Sequence, residues 1–179
     1  MSSIIKVNTF QDANGNALFS SDGSGNVTLS SGGMKATPSF KAQLSSNQTI
    51  NHNTYTKINF DTEVYDTDNC YDNTTNYRFT PAIAGKYYCY GCITYEAGLN
   101  QGEDMYFNFR INGSDVSQYE FNSGGSGIRH SLQYSNIFDL DADEYVEIFG
   151  YDSKGSDHDV GGHASLLRTF FGACKLIGA

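Results

Sequence analysis

β-Forming residues in this chain come in short runs that are separated by turn residues. The stretch from 60 to 95, FDTEVYDTDNCYDNTTNYRFTPAIAGKYYCYGCITY, shows the pattern most clearly. Asp, Asn, Gly and Pro interrupt its runs of Tyr, Phe, Val and Ile, which is typical of antiparallel strands joined by turns. Thirteen Tyr, twelve Phe and nineteen Gly favour the same class, whereas Ala, Leu and Glu are too sparse for long helices. The sequence therefore predicts an all-β fold.

Alternation of apolar and polar residues predicts strands with one buried face. In the run from 105 to 111, every second residue is Met, Phe or Ile, and the residues between them are Tyr, Asn and Arg. We expect the first set to point into a core. Comparable runs predict strands near residues 39–44, 54–61, 77–80, 86–96, 104–112, 127–139, 144–151 and 165–177.

Aromatic residues occupy both faces of three of these expected strands. One face can serve the core, whereas the other would leave Tyr and Phe in water unless something covers it. Two interpretations are open, a contact between subunits or coverage by the chain's own loops. Because aromatic residues are enriched at buried contacts between chains, we favour the subunit contact. The residues predicted to lie in it are Tyr88, Tyr90, Tyr145, Phe149, Tyr151 and Phe171.

The N-terminal 37 residues differ from the rest and contain a ten-residue repeat. Residues 12–21 (DANGNALFSS) and 22–31 (DGSGNVTLSS) align without gaps, and each pairs a Gly-Asn turn with a short apolar run. A unit of this size cannot bury its own apolar residues, so it needs neighbouring copies or another protein. We predict a short extended attachment segment over 1–37, with a loosely ordered leader as the alternative. A glycine pair and Pro38 then form a break, and the head domain spans 38–179.

Charge and motif content exclude several functions. The formal net charge of −9 argues against nucleic acid as a partner, because proteins that bind it gather Lys and Arg on one face. No apolar run is long enough to predict membrane insertion. The N-terminal residues lack the pattern of a signal peptide, so we expect the chain to fold where it is made. No hydrolase, zinc-protease or phosphate-loop motif occurs, and we do not expect an enzyme.

Four cysteines include one pair with Cys-x-x-Cys spacing, at Cys89 and Cys92. Residues three apart on a strand point to opposite faces, so these two thiols could share a metal ion only across a bulge. No second pair completes a zinc site. We predict free thiols, with Cys89 and Cys174 as small buried residues in a reducing compartment.

Two acidic clusters are candidate cation sites, although we predict no required cofactor. Ca²⁺ takes six to eight oxygen ligands from a flexible loop, and both clusters could supply some of them. Neither has the spacing of a dedicated calcium loop, so we favour a role in solubility over calcium binding. The candidate calcium ligands are Asp61, Asp66, Asp68, Asp152, Asp157 and Asp159. His158 and His163 could favour a softer metal, but their spacing in a glycine-rich loop does not require them to converge.

Residues in a constant order along the head carry a resemblance to a known family. They are Phe40, Ala42, Phe60-Asp61, Tyr71-Asp72, Tyr77 to Pro81, Gly85 to Tyr87, Asn112-Gly113, Leu140, Val146 and Thr169 to Gly172. In these residues the head resembles the globular head of the complement one-q family, whose jelly roll is shared with the tumour necrosis factor superfamily. The resemblance implies a two-sheet antiparallel jelly roll and a homotrimer. Asp143-Glu144 replace the family's usual Gly-Asp, so we expect a different turn there.

The leader, SSIIKVNTFQDANGN, resembles the openings of structural proteins from tailed bacteriophages. Together with a trimeric head, this resemblance implies a virion-surface protein made in the host cytoplasm and attached to another virion protein through its N-terminal segment. We predict a fibre or adhesin head that binds a host-surface glycan or protein. The alternative is a capsid decoration protein without receptor binding. A cellular complement-like lectin is a third interpretation, which would require secretion and disulfides.

Loops at the end of the trimer away from the leader are the expected ligand-binding region, since binding specificity generally resides in loops. The candidate loops are 62–76, 97–103, 113–126 and 152–164. Three tyrosines within them are predicted as flat contacts for a sugar ring, namely Tyr65, Tyr71 and Tyr119.

Overall fold

The structure, a computed structural model, describes residues 7–30 and 37–176. Every regular element of these residues is a β-strand, which confirms the all-β prediction, and none is a helix of the length and apolar character needed to cross a membrane. In chain order the strands are β1 (Thr9–Gln11), β2 (Ala17–Ser21), β3 (Val27–Leu29), β4 (Ser39–Gln43), β5 (Gln48–Ile50), β6 (Thr56–Lys57), β7 (Thr62–Asp66), β8 (Tyr71–Asp72), β9 (Arg78–Phe79), β10 (Gly85–Tyr95), β11 (Asp104–Ile111), β12 (Ser114–Asn122), β13 (His130–Leu140), β14 (Val146–Asp152), β15 (His158–Val160) and β16 (Phe170–Lys175).

The head contains two antiparallel sheets. In the first, β10 pairs with β13 along one edge over its full length and with β16 along the other. β4 and β7 continue this sheet beyond β16, and β15 and β5 extend it from the end of β10. In the second sheet the order is β12-β11-β14-β9-β8, with β6 also pairing with β14.

The hydrophobic core lies between the two sheets. Phe109 of β11 in the second sheet packs against Phe138 and Phe171 of the first, with ring centroids 5.4 and 6.2 Å apart. Phe107 is fully buried beside it, as the alternation in the sequence predicts. Ile111, at the end of the same strand, is only partly buried. The predicted two-sheet antiparallel architecture is confirmed.

Strand directions place the loops at two ends of the sandwich. The end near Pro38 carries residues 67–70 and 141–145, because β4 starts there and β7 and β13 end there. The opposite end carries 96–103, 123–129 and 153–169. Asp143, in a turn near Pro38, has a φ of 72°, so this turn uses a left-handed residue although it lacks glycine.

Three of the four segments predicted as ligand-binding loops contain strands: 62–76 contains β7 and β8, 113–126 contains β12, and 152–164 contains β15. Residues 114–122 form β12 and residues 62–66 form β7. Both lie at sheet edges and are paired on one side only, so their outer residues face solvent and their sequences lack a clear apolar alternation. Parts of 62–76 also lie near Pro38 and not at the opposite end, which corrects the predicted grouping of the four loops.

The N-terminal repeat and the strand before it form a separate three-stranded sheet, β1-β2-β3. In each copy one aspartate closes the turn before the strand: Asp12 accepts the backbone N–H groups of Asn14 and Asn16, and Asp22 makes the same contacts one repeat later. The side-chain amides of Asn16 and Asn26 also donate to these carboxylates, and these hydrogen bonds together with those from the backbone lower the pKa of both aspartates. One face carries the cross-strand row Phe10, Phe19 and Leu29. Residues 1–6 and 31–36, parts of the predicted attachment segment and break, lie outside the described residues, as do 177–179 of the head.

We expect Gly91→Ala to lower the free energy of unfolding by about 1–3 kcal/mol, the usual cost of overpacking a core. A Cβ atom at this position of β10 would lie 2.8 Å from the carbonyl oxygen of Phe170, 2.9 Å from Cζ of Phe107 and 3.0 Å from Cδ1 of Ile148. Gly155→Ala is the matched control, because a Cβ atom there meets open space. Denaturant titration at one protein concentration compares the two, and equal midpoints would contradict the expected strain.

Candidate functional site

An exposed aromatic surface covers the outer side of the first sheet. Tyr88 and Tyr90 of β10 stack with centroids 5.6 Å apart, and Phe170 of β16 lies 6.3 Å from Tyr90. The ring of Tyr90 crosses Gly172, where a Cβ atom would lie 2.5 Å from its Cζ. Glycine at 172 is therefore what allows this ring to lie flat on the sheet.

Neighbouring strands extend this surface. Tyr65 of β7 is paired with Lys41 of β4, whose Nζ lies 4.4 Å from the ring centroid of Phe170. Ile137 of β13 is paired with Tyr88 and is 54 % exposed. Burial, with a smaller contribution from a hydrogen bond to Tyr65, raises the pKa of Tyr90. We call Tyr65, Tyr88, Tyr90, Ile137 and Phe170 the aromatic face.

A groove of about 320 Å³ runs along the aromatic face. Its walls are formed by Tyr88, Tyr90, Gly91, Gln133, Tyr134, Ser135 and Phe170. Tyr88 remains 38 % exposed, so nothing within the described residues covers this surface fully. Two of the six predicted interface residues, Tyr88 and Tyr90, therefore lie together on one uncovered surface.

A second apolar patch lies on the side of the sandwich, where the edge strands β12 and β13 meet. Tyr119 stacks on Tyr134 with centroids 5.8 Å apart, and Phe121 lies 5.4 Å from His130. A cavity of about 150 Å³ opens between these strands. We call Tyr119, Phe121 and His130 the edge patch. Tyr119 is exposed, as predicted, but it belongs to a strand.

Phe171 is a correction to the predicted interface. Its side chain is 0 % exposed and its ring lies 4.9 Å from that of Phe40 in the core. The pairing of β16 with β4 places Phe171 opposite Ala42 on the core side and turns Phe170 outward. Phe170 therefore takes the place that the sequence interpretation gave to Phe171.

Tyr145, Phe149 and Tyr151 lie on the outer side of the second sheet, away from the aromatic face. Each is covered by a neighbour within the chain: Arg78 lies 4.2 Å from the ring of Tyr145, Arg110 lies 3.9 Å from Phe149, and Tyr55 lies 4.9 Å from Tyr151. Cations over aromatic rings are favourable contacts that shield them from water. Here the chain's own side chains cover the aromatic residues, so the predicted grouping with Tyr88 is wrong.

Tyr71 cannot serve as the predicted sugar contact. It is 4 % exposed, and its ring stacks on Phe40 at 4.6 Å. Its hydroxyl donates to the carbonyl oxygen of Phe60, 3.2 Å away, and burial raises its pKa. Tyr65, a second predicted contact, belongs to the aromatic face.

The predicted calcium ligands of the first cluster bind groups of the protein itself. Asp61 accepts the N–H and Oγ–H groups of Ser45, Asp66 accepts the N–H of Tyr71, and Asp68 accepts the hydroxyl of Thr67. In the second cluster Asp157 contacts His52 and Asp159 contacts Thr49. Within 7–30 and 37–176, no three His, Cys, Asp or Glu side chains are grouped as metal ligands. Calcium binding stays a prediction.

Asp152 is a correction within that set, because it is buried and paired. Its Oδ2 lies 2.8 Å from Nδ1 of His158, and Nε2 of the same ring lies 2.8 Å from the carbonyl oxygen of Glu96. A carbonyl only accepts hydrogen bonds, so Nε2 carries a proton, and a second proton lies between Nδ1 and the carboxyl group. The two side chains therefore form a buried charge pair or its neutral equivalent. Sequence reasoning did not identify this pair.

All four cysteines are free thiols in the structure. Cys89 is buried in the core and Cys92 faces the other side of β10 near Thr94. Burial raises the pKa of Cys89. It also raises the pKa of Cys174, which is less deeply buried. A raised pKa leaves little thiolate at neutral pH, so these thiols are poor nucleophiles and metal ligands.

We expect native protein to react slowly with a thiol-specific disulfide reagent and to yield four equivalents once unfolded. In a single copy Cys174 is the only one of the four thiols that is partly exposed, so it should react first. A chromogenic exchange assay in the absence and presence of denaturant measures both phases. Rapid reaction of two or more thiols in native protein would contradict the burial of the other three.

Comparison with known proteins supports the fold. No family model and no curated protein matches the chain. Among solved structures, the tumour necrosis factor Eiger from S. frugiperda matches with a TM-score of 0.57 and 12% identity, over 79% of this chain and 93% of that one. The globular domain of zebrafish complement 1qA matches with a TM-score of 0.53 and 10% identity, over 79% and 98%. Murine APRIL at pH 5.0 matches with a TM-score of 0.54 and 12% identity, over 77% of this chain and 99% of that one.

These similarities confirm the predicted jelly roll of the tumour necrosis factor and complement one-q type. At such low identity they establish the fold alone, and function has to be argued from surfaces of this chain. The bacteriophage resemblance of the leader stays a prediction.

Proposed function

We propose that the chain is a bacteriophage virion protein whose head forms a homotrimer and binds a host-surface glycan or protein. The observation that carries the proposal is the aromatic face, an apolar surface that one copy leaves uncovered. Exposed apolar patches of this kind on soluble domains are usually contact sites. Neither a catalytic role nor a cofactor is part of the proposal.

A closed ring of three copies needs two different patches on each subunit, because a heterologous contact joins unlike surfaces. The head has two such patches: the aromatic face, and the edge patch on the side formed by β12 and β13. In the proposed trimer the edge patch of one copy covers the aromatic face of the next. Tyr88 and Tyr90 are then buried, with Phe170 beside them.

The N-terminal sheet supports the proposed attachment to a particle. Phe10 and Phe19 stack with centroids 4.4 Å apart, yet Phe10 remains exposed. Three short strands cannot bury both sides of this apolar row, so a partner surface stabilises it. We assign that surface to another virion protein, with the head projecting outward.

Receptor binding is assigned to the loops at the end of the sandwich opposite Pro38. Residues 97–103, 123–129 and 153–164 lie at this end. Three copies of each loop in a trimer would raise the avidity of weak single contacts. This assignment keeps three of the four loop regions predicted from the sequence. The predicted loop 113–126 is reduced to the residues that follow β12.

The full chain tests the proposal in two measurements. Light scattering after size exclusion is expected to give three times the 19.6-kDa chain mass, whereas a dimer would show that the aromatic face pairs with itself. Labelled trimer is expected to adsorb to host cells and to compete with phage infection. Binding only to capsids or to another virion protein would overturn the receptor-binding assignment. It would support the capsid decoration alternative, which the exposed apolar row of the N-terminal sheet favours.

A further inference from the structure

A polar pocket of about 370 Å³ lies at the open edge of the sandwich, where β7 ends one sheet and β8 ends the other. It is on the side opposite the edge patch, so neither proposed contact surface covers it. Its lining comes from Glu63 of β7 and from residues 69–80 of the following segment. We call it the polar pocket.

One wall of the polar pocket is held rigid by Asp72. Its two carboxylate oxygens accept the backbone N–H groups of Thr74, Thr75 and Asn76 at 3.0, 2.9 and 3.1 Å. The side-chain amide of Asn76 donates a further hydrogen bond of 2.7 Å. These hydrogen bonds lower the pKa of Asp72. The wall is therefore preorganised, and this carboxylate has little acceptor capacity left for a cation.

Four polar lining side chains make no hydrogen bond or ion pair within the described part of the protein: Glu63, Asn69, Arg78 and Thr80. Arg78 is nevertheless fixed in place, since its guanidinium carbon lies 4.2 Å from the ring centroid of Tyr145. Stacking leaves the N–H donors in the guanidinium plane free. The pocket thus presents free acceptors, free donors and one amide that can do both.

These donors and acceptors favour a neutral ligand over an anion or a cation. An anion would meet Arg78, but the negative charges of Glu63 and Asp72 would repel it, as would that of Asp61, whose carbonyl oxygen contacts the lining residue Asn73. A cation would meet Arg78 inside the pocket and no grouped set of ligands among the described residues. Sugar hydroxyls are neutral, and each can both donate and accept. Adjacent hydroxyls can therefore receive from Arg78 and donate to Glu63 at the same time.

We propose that the polar pocket binds a neutral hexose unit of a glycan. This inference rests on the proposed function and revises its placement: the sugar contact lies at Glu63, Asn69 and Arg78, at the open edge of the sandwich, and not in the loops opposite Pro38 or at Tyr65, Tyr71 and Tyr119. The pocket presents no exposed aromatic ring as a stacking platform, so single-site affinity is expected near about 1 mM. Three sites in one trimer would bind a multivalent surface more tightly.

Saturation-transfer NMR on the full chain tests the inference with the methyl glycosides of glucose, galactose and mannose. At least one is expected to give a transfer signal, and Arg78→Ala and Glu63→Gln are each expected to weaken its binding about tenfold, because each removes a charge-assisted hydrogen bond. Arg110→Ala is the matched control. It removes an arginine that also stacks on an aromatic ring, 3.9 Å from Phe149, outside the pocket.

Three outcomes decide the inference. No transfer signal with any glycoside, or equal losses with Arg78→Ala and Arg110→Ala, would overturn it. Binding of Ca²⁺ in a calorimetric titration that Glu63→Gln abolishes, without glycoside binding, would overturn it too and assign the pocket to a cation. Adsorption of the wild-type trimer to host cells in any of these cases leaves the proposed function standing, so the two failures are distinguishable.

Discussion

Asp152→Ala is expected to lower the free energy of unfolding by about 3–5 kcal/mol, the range found when one partner of a buried charge pair is removed. Asp152 is fully buried, and its carboxylate is the partner of Nδ1 of His158. Without it, a buried ring nitrogen loses its partner, and the backbone N–H of Lys154 loses its acceptor as well. The pair of Asp152 and His158 joins β14 to β15 and so holds the loop from 153 to 157 in place.

Asp157→Ala is the control for this substitution. Asp157 also contacts a histidine, His52 at 3.0 Å, but both side chains are more than half exposed. Exposed ion pairs contribute little to stability, so the control should leave the denaturation midpoint almost unchanged. Urea titrations of both variants at one protein concentration and neutral pH make the comparison. Equal midpoints for the two variants would show that the buried pair does not stabilise the head.

The alternation of residues in single strands was sufficient to predict part of the core of the head. Phe107 and Phe109 are buried, and Tyr88 and Tyr90 point outward, as their spacing predicts. The spacing has a period of two, however, and says only that neighbours lie on opposite faces. For Phe170 and Phe171 the register with β4 decides which one is buried, and that register depends on a strand more than a hundred residues away.

Coverage of the second sheet could not be predicted for a similar reason. Tyr145, Phe149 and Tyr151 have the spacing of an exposed face, but arginines from other strands lie over two of them. The sequence contains both the rings and the cations and does not show which ones meet. Contacts between strands that are distant in sequence also determine the burial of Tyr71, because its position on β8 brings its ring against Phe40 of β4.

The polar pocket and the buried pair of Asp152 and His158 also depend on contacts that the sequence alone does not show. Glu63 reaches the pocket because β7 pairs with β4 at the edge of one sheet, whereas Arg78 reaches it from β9, which pairs with the edge strand β8 of the other sheet. Asp152 and His158 meet because the chain turns back between β14 and β15. The acidic residues of both segments are conspicuous in the sequence, which made them candidate cation ligands even though a role in solubility was favoured. Their hydrogen-bond partners become visible only in the fold.

Tyr88→Asp is expected to convert the trimer into monomers, because it places a carboxylate on the aromatic face, where an edge patch would bury it without a partner. Burial of an unpaired charge costs several kcal/mol per site, and the ring contains three such sites. In a single copy residue 88 is exposed, so the fold should be retained and the circular dichroism spectrum unchanged.

Light scattering should therefore give a mass near 19.6 kDa for Tyr88→Asp in place of a trimer. Ile83→Asp introduces the same charge at a similarly exposed apolar residue outside both patches, and this control should stay trimeric. The second substitution on the same surface, Ile137→Asp, should dissociate the trimer as Tyr88→Asp does, since the two residues are paired across β10 and β13. A well-folded trimer with either substitution would mean that the copies meet elsewhere, and the aromatic face would then need a different occupant.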